Sequence, residues 1–217
     1  MFAFLTGLGL AGAAGLNAYI PILVVGVLAR YGDVVVLPES FAWMANGWAL
    51  TALAVLLVAE IVLDKVPVVD SVNDAVMTFV RPAAGGAVMA ASTAAERLDA
   101  SLGTGAKVLM DQSWVGWVLG IGMALTVHGA KSTVRPVANA GTLGTAAPVL
   151  STTEDVFSLG LSFVAILAPV VGIILVLLLL AVAVRLVLRA KRRRDKLGRS
   201  WSVRFARKGS SDSGGGD

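Results

Sequence analysis

The chain contains no cysteine, which excludes disulfides, thiolate nucleophiles and cysteine-based metal sites. A single histidine stands among its 217 residues, so zinc catalysis built on several imidazoles lacks its ligands as well. Charge is also scarce, at 15% of residues against about 25% in an ordinary soluble domain. No stretch is polar enough and long enough to form a separate soluble domain. Apolar residues fill the space instead: 57% of the chain is hydrophobic and the mean hydropathy is +0.82, the composition of an integral membrane protein. A span needs about 20 apolar residues. The expectation is therefore an all-α polytopic membrane protein, a single helical domain over residues 1–190 with about five or six membrane elements.

The charges that exist are unevenly placed. Residues 1–184 hold 7 Lys+Arg against 11 Asp+Glu, whereas residues 185–217 hold 11 against 3. Arg185, Arg189 and the run 191–194 (KRRR) follow directly on a long apolar segment, which by the positive-inside bias places the C-terminus in the cytoplasm. The remainder of the tail, 191–217, is basic and then Gly/Ser-rich, and reads as disordered. At the other end there is no basic leader and no small-residue cleavage site, so the apolar start reads as a retained membrane segment.

Breakers divide the apolar runs. Residues 4–29 are crowded by Gly12, Gly15, Asn17 and Pro21; as one straight helix they would measure roughly 39 Å, longer than the hydrocarbon core of about 30 Å, so a tilted helix or two half-helices are expected. Residues 31–46 read as a loop with an interfacial piece, and Trp43 and Trp48 fit headgroup level. A second span covers 48–63. The following DKVPVVDSVND reads as a polar loop, with Asp70-Ser71 as helix-capping chemistry. The third run, 75–95, contains Arg81-Pro82 and Gly85-Gly86 and is expected to be broken or re-entrant. Residues 96–112 form a partly helical connection, 113–127 a short span ending at His128, and 131–151 a breaker-rich stretch that survives at membrane depth only where protein buries it or water lines it. Pro169 divides the last run, 156–188.

In this order, GLAGAAGLNAYIPILVVGVLARYG, AEIVLDKVPVVDSVNDAV and FVRPAAGGAV, followed by a Gly/Asn-rich stretch and a basic tail, resemble the bacterial membrane family known as domain of unknown function 4126. The resemblance covers roughly residues 4–190, and its most specific parts are GLNAYIP and KVPVVDSVNDAV. It implies a small helical protein of the bacterial cytoplasmic membrane. It carries no activity and no catalytic residue.

Function must come from the residues. An arginine near the middle of a span costs about 2.5–3.5 kcal/mol on insertion scales, so it faces a protein interior or an aqueous cavity. VRP occurs twice, at Arg81 and Arg135. If each following proline opens a short helix, guanidinium and helix N-terminus together suit phosphate or carboxylate. The alternative is that each arginine snorkels or pairs with an acid. Glu60 and Asp64, four apart on one helix face, repel unless a cation or a proton intervenes; a buried Glu60 would serve as proton carrier or counter-ion, or form a salt bridge to Arg81 or Arg135 that leaves Asp64 exposed. Asn17 and Asn139 lie in glycine-broken stretches where an amide binds substrate or satisfies free backbone carbonyls.

The resulting expectation is transport or flipping of an anionic small molecule or lipid headgroup, such as a polyprenyl phosphate or phospholipid, with Arg81, Arg135, Asn17 and Asn139 as substrate contacts. The alternatives are a non-transporting scaffold and, more weakly, an ion channel. No enzyme is expected, because no nucleophile and base are recognisably paired and no nucleotide-binding or hydrolase motif appears. No cofactor, metal or nucleic acid is expected; the bilayer and an anionic lipid or small anion are the expected partners, and homo-oligomerisation is left open.

Overall fold

The computed structural model describes residues 2–32, 34–65, 67–99, 113–142 and 146–212; the side chains at 67–68, 70–71, 95–99, 113, 136–141, 146, 190–191 and 193–212 lie outside the description. Among the described residues the fold is all-α. The helices are α1 (Phe2–Leu16), α2 (Tyr19–Tyr31), a short 3-10 helix (Glu39–Ala45), α3 (Gly47–Leu63), α4 (Pro67–Asp99), α5 (Ser113–Thr142), α6 (Ala146–Leu167) and α7 (Pro169–Asp212).

The first helix is the axis of the bundle. From Gly9 to Leu16 every residue of α1 is buried, as expected of a helix that is apolar on all sides and enclosed by others, and α4, α5, α6 and α7 all pack on it. The run 4–29 is two helices, one of the two expected forms. Their junction is chemical: Asn17 Oδ1 accepts from the backbone N–H of Tyr19 at 3.0 Å and of Ile20 at 3.2 Å, supplying partners that the first turn of α2 would otherwise lack. Thus Asn17 serves free N–H groups and not the carbonyls expected from the sequence.

Several sequence-based breaks are absent. The expected broken element at 75–95 is instead the interior of a 33-residue helix, α4, which continues through Pro82. Its glycines are contact residues: a β-carbon at Gly85 would stand 2.5 Å from Ala124 Cβ and 2.8 Å from the Gly120 carbonyl oxygen, so glycine here permits close approach of α4 to α5. Likewise α5 does not stop at His128 but runs on through Pro136 to Thr142. The polar loop expected over 64–74 shrinks to a turn, because α4 starts at Pro67, and proline suits a first helical position, where its missing N–H costs nothing. Asp70-Ser71 therefore lies inside the helix and does not precede it.

Other boundaries agree with the sequence reading. The chain interrupts its helix at Ala168, just before Pro169, and the 31–46 segment carries its short 3-10 piece. Of the 96–112 connection, residues 100–112 lie outside the described residues. The backbone of α7 is helical past the basic run to Asp212, where the sequence reading expected a disordered tail.

Among the described residues, three helical segments are long and apolar enough to cross a membrane: Val72–Ala94, Ala147–Leu167 and Pro169–Arg189. The pair Glu39–Ala45 and Gly47–Leu63, bent by 58°, makes a fourth if counted as one span. Their outward faces are oily. Only 11% of the strongest apolar window of Pro169–Arg189 is buried inside the protein, and α3 buries only Leu50 and Glu60. Such continuous apolar exposure marks a surface made for lipid and not for water.

Candidate functional site

The polar centre starts at the end of α3. Glu60 and Asp64 share one helix face, and that face turns inward, leaving them 1% and 2% exposed. Two neighbouring buried carboxylates require cations with good geometry. Arg81 of α4 supplies the first: its Nη2 lies 2.9 Å from Glu60 Oε1 and 3.7 Å from Asp64 Oδ2. Its Nη1 donates to Asp74 Oδ1 at 3.2 Å and to His128 Nδ1 at 2.8 Å. Because a guanidinium only donates, Nδ1 must accept, so His128 is the neutral Nε2–H tautomer. That N–H points to Thr78 Oγ1 at 3.1 Å, and the Thr78 hydroxyl donates to the Asp74 carbonyl at 2.8 Å.

One face of α5 supplies the rest of the positive charge. His128, Lys131 and Arg135 follow at helical spacing, and all three are buried. Lys131 Nζ reaches Glu154 Oε2 at 3.0 Å, Asp64 Oδ2 at 3.4 Å and the Leu16 carbonyl at 3.1 Å. Arg135 grips Glu154 of α6 through Nη2 and Nε, donates to Asp64 Oδ2 at 3.1 Å and lies 3.7 Å from Asp74 Oδ2. Asp64 is thus the hub, since it also accepts from Asn73 Nδ2 at 2.7 Å. Burial alone would push its carboxyl up, but Lys131, Arg135 and Arg81, with the Asn73 bond, outweigh burial and hold it below the usual carboxylate range.

The α1–α2 junction is tied into the same cluster from both sides. Leu16, the last residue of α1, gives its carbonyl to Lys131, and the Asn17 amide donates to Asp155 Oδ1 at 2.9 Å. Ser158 of α6 adds a bond to the Ala13 carbonyl at 3.0 Å.

Among the described residues, four carboxylates (Glu60, Asp64, Asp74 and Glu154) therefore pair with three cations (Arg81, Lys131 and Arg135), and a fifth, Asp155, joins them through Asn17. One side is sealed and the other is a rim: Arg81 and Glu60 have 0% and 1% of their side chains exposed, whereas Asp74 and Glu154 have 17% and 13%. In the sealed part, Glu60 Oε2 and Arg81 Nε have no hydrogen-bond partner among the described residues.

Arg81, Arg135, Glu60 and Asp64, singled out from sequence, converge here, and Asn17 joins them through Asp155. Glu60 makes the anticipated bridge to Arg81. The companion expectation of an exposed Asp64 is wrong: the residue is the centre of the cluster because three cations surround it. The proline-opened helix starts are also absent, since Pro82 and Pro136 lie within continuous helices and offer no free N–H groups to an anion. Asn139 lies in α5, with its side chain outside the description.

Sequence reasoning missed Lys131, Asp74, Glu154 and Asp155 as members of the site. A signal existed: His128, Lys131 and Arg135 share a helix face, and Glu154-Asp155 are the only charged residues of α6. Among the described residues, no group of three or more His, Cys, Asp or Glu side chains is placed to hold a metal ion.

Helices of membrane-crossing length around a charged interior define the class as a helical membrane protein with a buried ion-pair cluster. The chain belongs to the family described as domain of unknown function (DUF4126), whose family model matches residues 4–189. Neither a curated protein nor a solved structure shows a match to the chain.

Proposed function

We propose that this protein is a carrier that moves or flips an anionic small molecule or lipid headgroup across the bacterial cytoplasmic membrane. In this reading the chain has five or six membrane elements and a cytoplasmic C-terminus, and the buried ion cluster is its working site. The observation that carries the proposal is the placement of Arg135. Its guanidinium is buried, but it is held by Glu154 and approached by Asp74, the two acids at the exposed rim.

A phosphate or carboxylate entering from the rim replaces Glu154 on the same planar fork of donors, while Glu154 swings to water. Arg81 supports the site from behind through Asp64 and Asp74. Such exchange is inexpensive where the displaced acid is hydrated and costly where it is sealed, which makes Arg135 the primary anion contact. Lipid tails would remain outside, along the apolar faces of α3, α6 and α7.

A second reading is favoured by a specific observation: both arginines already have carboxylate partners. On that reading the cluster pins α3, α4, α5 and α6 together, and the protein is a scaffold. Native mass spectrometry of protein released from its own membrane separates the two. The carrier reading expects a defined phosphate- or carboxylate-bearing species on the wild type that is lost from a folded Arg135→Gln variant. Bulk lipid alone on both proteins would favour the scaffold.

A further inference from the structure

The charge balance of the cluster is the observation the carrier reading leaves unused. Among the described residues, five carboxylates against three cations, with His128 held neutral by its bond from Arg81, leave a formal surplus of two negative charges in a mostly buried volume. Uncompensated charge of this kind is expensive, and the ordinary remedy is protonation. The protons belong to the coupled cluster as a whole, and they settle on the acids that have the fewest cations to lose.

The geometry ranks those acids. Asp64 has three cationic neighbours, Asp74 is flanked by Arg81 and Arg135, and Glu154 is held by Lys131 and Arg135. Among the described residues Glu60 has Arg81 alone, on Oε1, while its buried Oε2 has no hydrogen-bond partner. A full carboxylate charge is poorly placed on a buried oxygen that no donor among the described residues reaches, whereas a neutral hydroxyl there requires much less. Asp155 has no ion-pair partner among the described residues; its Oδ1 accepts only from the Asn17 amide, a bond that a proton on Oδ2 leaves intact.

We propose that Glu60 and Asp155 each hold a proton at neutral pH, making the cluster a two-proton store. The groups facing Glu60 are Tyr19 of α2, Asp64 of its own helix end, Arg81 of α4 and Lys131 of α5. Those facing Asp155 are Asn17, Lys131 of α5, and Asp64 and Lys65 at the end of α3, with Glu154 adjacent in sequence. Lys65 weakens the surplus without entering the cluster, because its half-exposed ammonium bonds the Ile61 carbonyl at 3.1 Å and is paired with no carboxylate among the described residues. The two sites differ in access: Glu60 is sealed, and Asp155 is half-buried next to the Glu154 rim.

The inference deepens the carrier reading by naming the proton as the ion coupled to anion entry, and it rests on that reading for the coupling alone. An anion arriving at Arg135 adds negative charge, which the protons held on Glu60 and Asp155 keep from adding to two further buried carboxylates, while the released Glu154 goes to water.

Infrared spectroscopy of the full-length protein, with the Asp155→Asn and Glu60→Gln variants, tests the store directly. The wild type at neutral pH is expected to show the C=O stretch of protonated carboxyl groups, each variant to lose one component of it, and the double variant to lose both. Absence of a protonated-carboxyl band in the wild type, or a band that both variants leave unchanged, would overturn the proposal. The wild-type spectrum decides the first point even if a variant does not fold. The readout needs no cargo, so failure of the carrier reading, seen as no retained anion, stays distinguishable from failure of the proton store.

Discussion

Arg81 and Arg135 are each followed by proline within a long helix and each face the same acidic hub, Asp64, yet their surroundings differ. Arg81 is fully enclosed, with Glu60 and His128 as inner partners and one nitrogen without a hydrogen-bond partner among the described residues. Arg135 sits at the edge, and its tightest partner, Glu154, reaches the surface. The same three-residue motif thus yields a lock in one helix and an exchangeable contact in the other, because what a guanidinium can do depends on whether its displaced partner can reach water.

The largest effect that would break this contrast concerns the lock. Arg81→Ala takes the fully buried cation away from Asp64 and leaves Asp74 with one distant cation, a loss of about 3–5 kcal/mol expected when one member of a buried pair is removed. Thermal unfolding of the purified protein should show little or no folded material, with partial recovery when Asp74→Asn is added. Wild-type melting of the single variant would mean that Arg81 is not a lock.

The edge should respond less. Arg135→Gln leaves Glu154 free to hydrate and keeps Lys131 on Asp64, so a loss of roughly 1–3 kcal/mol is expected, measured in the same unfolding experiment. An effect as large as that of Arg81→Ala would erase the distinction between the two arginines.

Asp64 sharpens the comparison through pH. Its folded-state pKa is depressed, so its contribution is fully present above the unfolded value of about 3.9 and is lost as pH falls through the folded value. Unfolding measured against pH should therefore steepen below about pH 4, and Asp64→Asn should flatten that limb while lowering stability at neutral pH. A limb that Asp64→Asn leaves unchanged would remove Asp64 from the hub.

The smallest effect belongs to the α1–α2 junction. Asn17→Ala removes a cap and the bond to Asp155, for about 1 kcal/mol, whereas Asn17→Asp keeps the cap but places a second acid beside Asp155. The aspartate variant should be the more pH-sensitive of the two in thermal unfolding. Equal pH profiles would disconnect the junction from the cluster.

How much of this was legible in the sequence depended on how local the cause was. Asn17 and Pro169 interrupt helices for reasons contained within a few residues, namely a side-chain cap and a missing N–H; the break at Pro169 was readable, and that at Asn17 was one of two forms the sequence left open. Gly85-Gly86 and Pro82 look alike in sequence but act through packing. Gly85 makes room for Ala124 and Gly120, and Gly86 for Trp117 and Ile121, of a helix about 35 residues away, and a helix so well enclosed tolerates its proline.

A bridge from Glu60 to Arg81 or Arg135 was readable because few acids were available to an arginine in an apolar run, and the choice of Arg81 was not. The remainder of the site was not, since Lys131, Asp74, Glu154 and Asp155 become one cluster only when α5 and α6 are laid against the end of α3. Membrane composition, by contrast, was evident from the charge content alone.

The most direct test of the central claim, that Arg135 exchanges Glu154 for an incoming anion, is the shift in melting temperature of the detergent-solubilised wild type and Arg135→Gln proteins on adding inorganic phosphate. A ligand that binds only the folded state raises its stability. The account predicts a concentration-dependent rise for the wild type and none for Arg135→Gln. No rise in the wild type, or an equal rise in both, would contradict it.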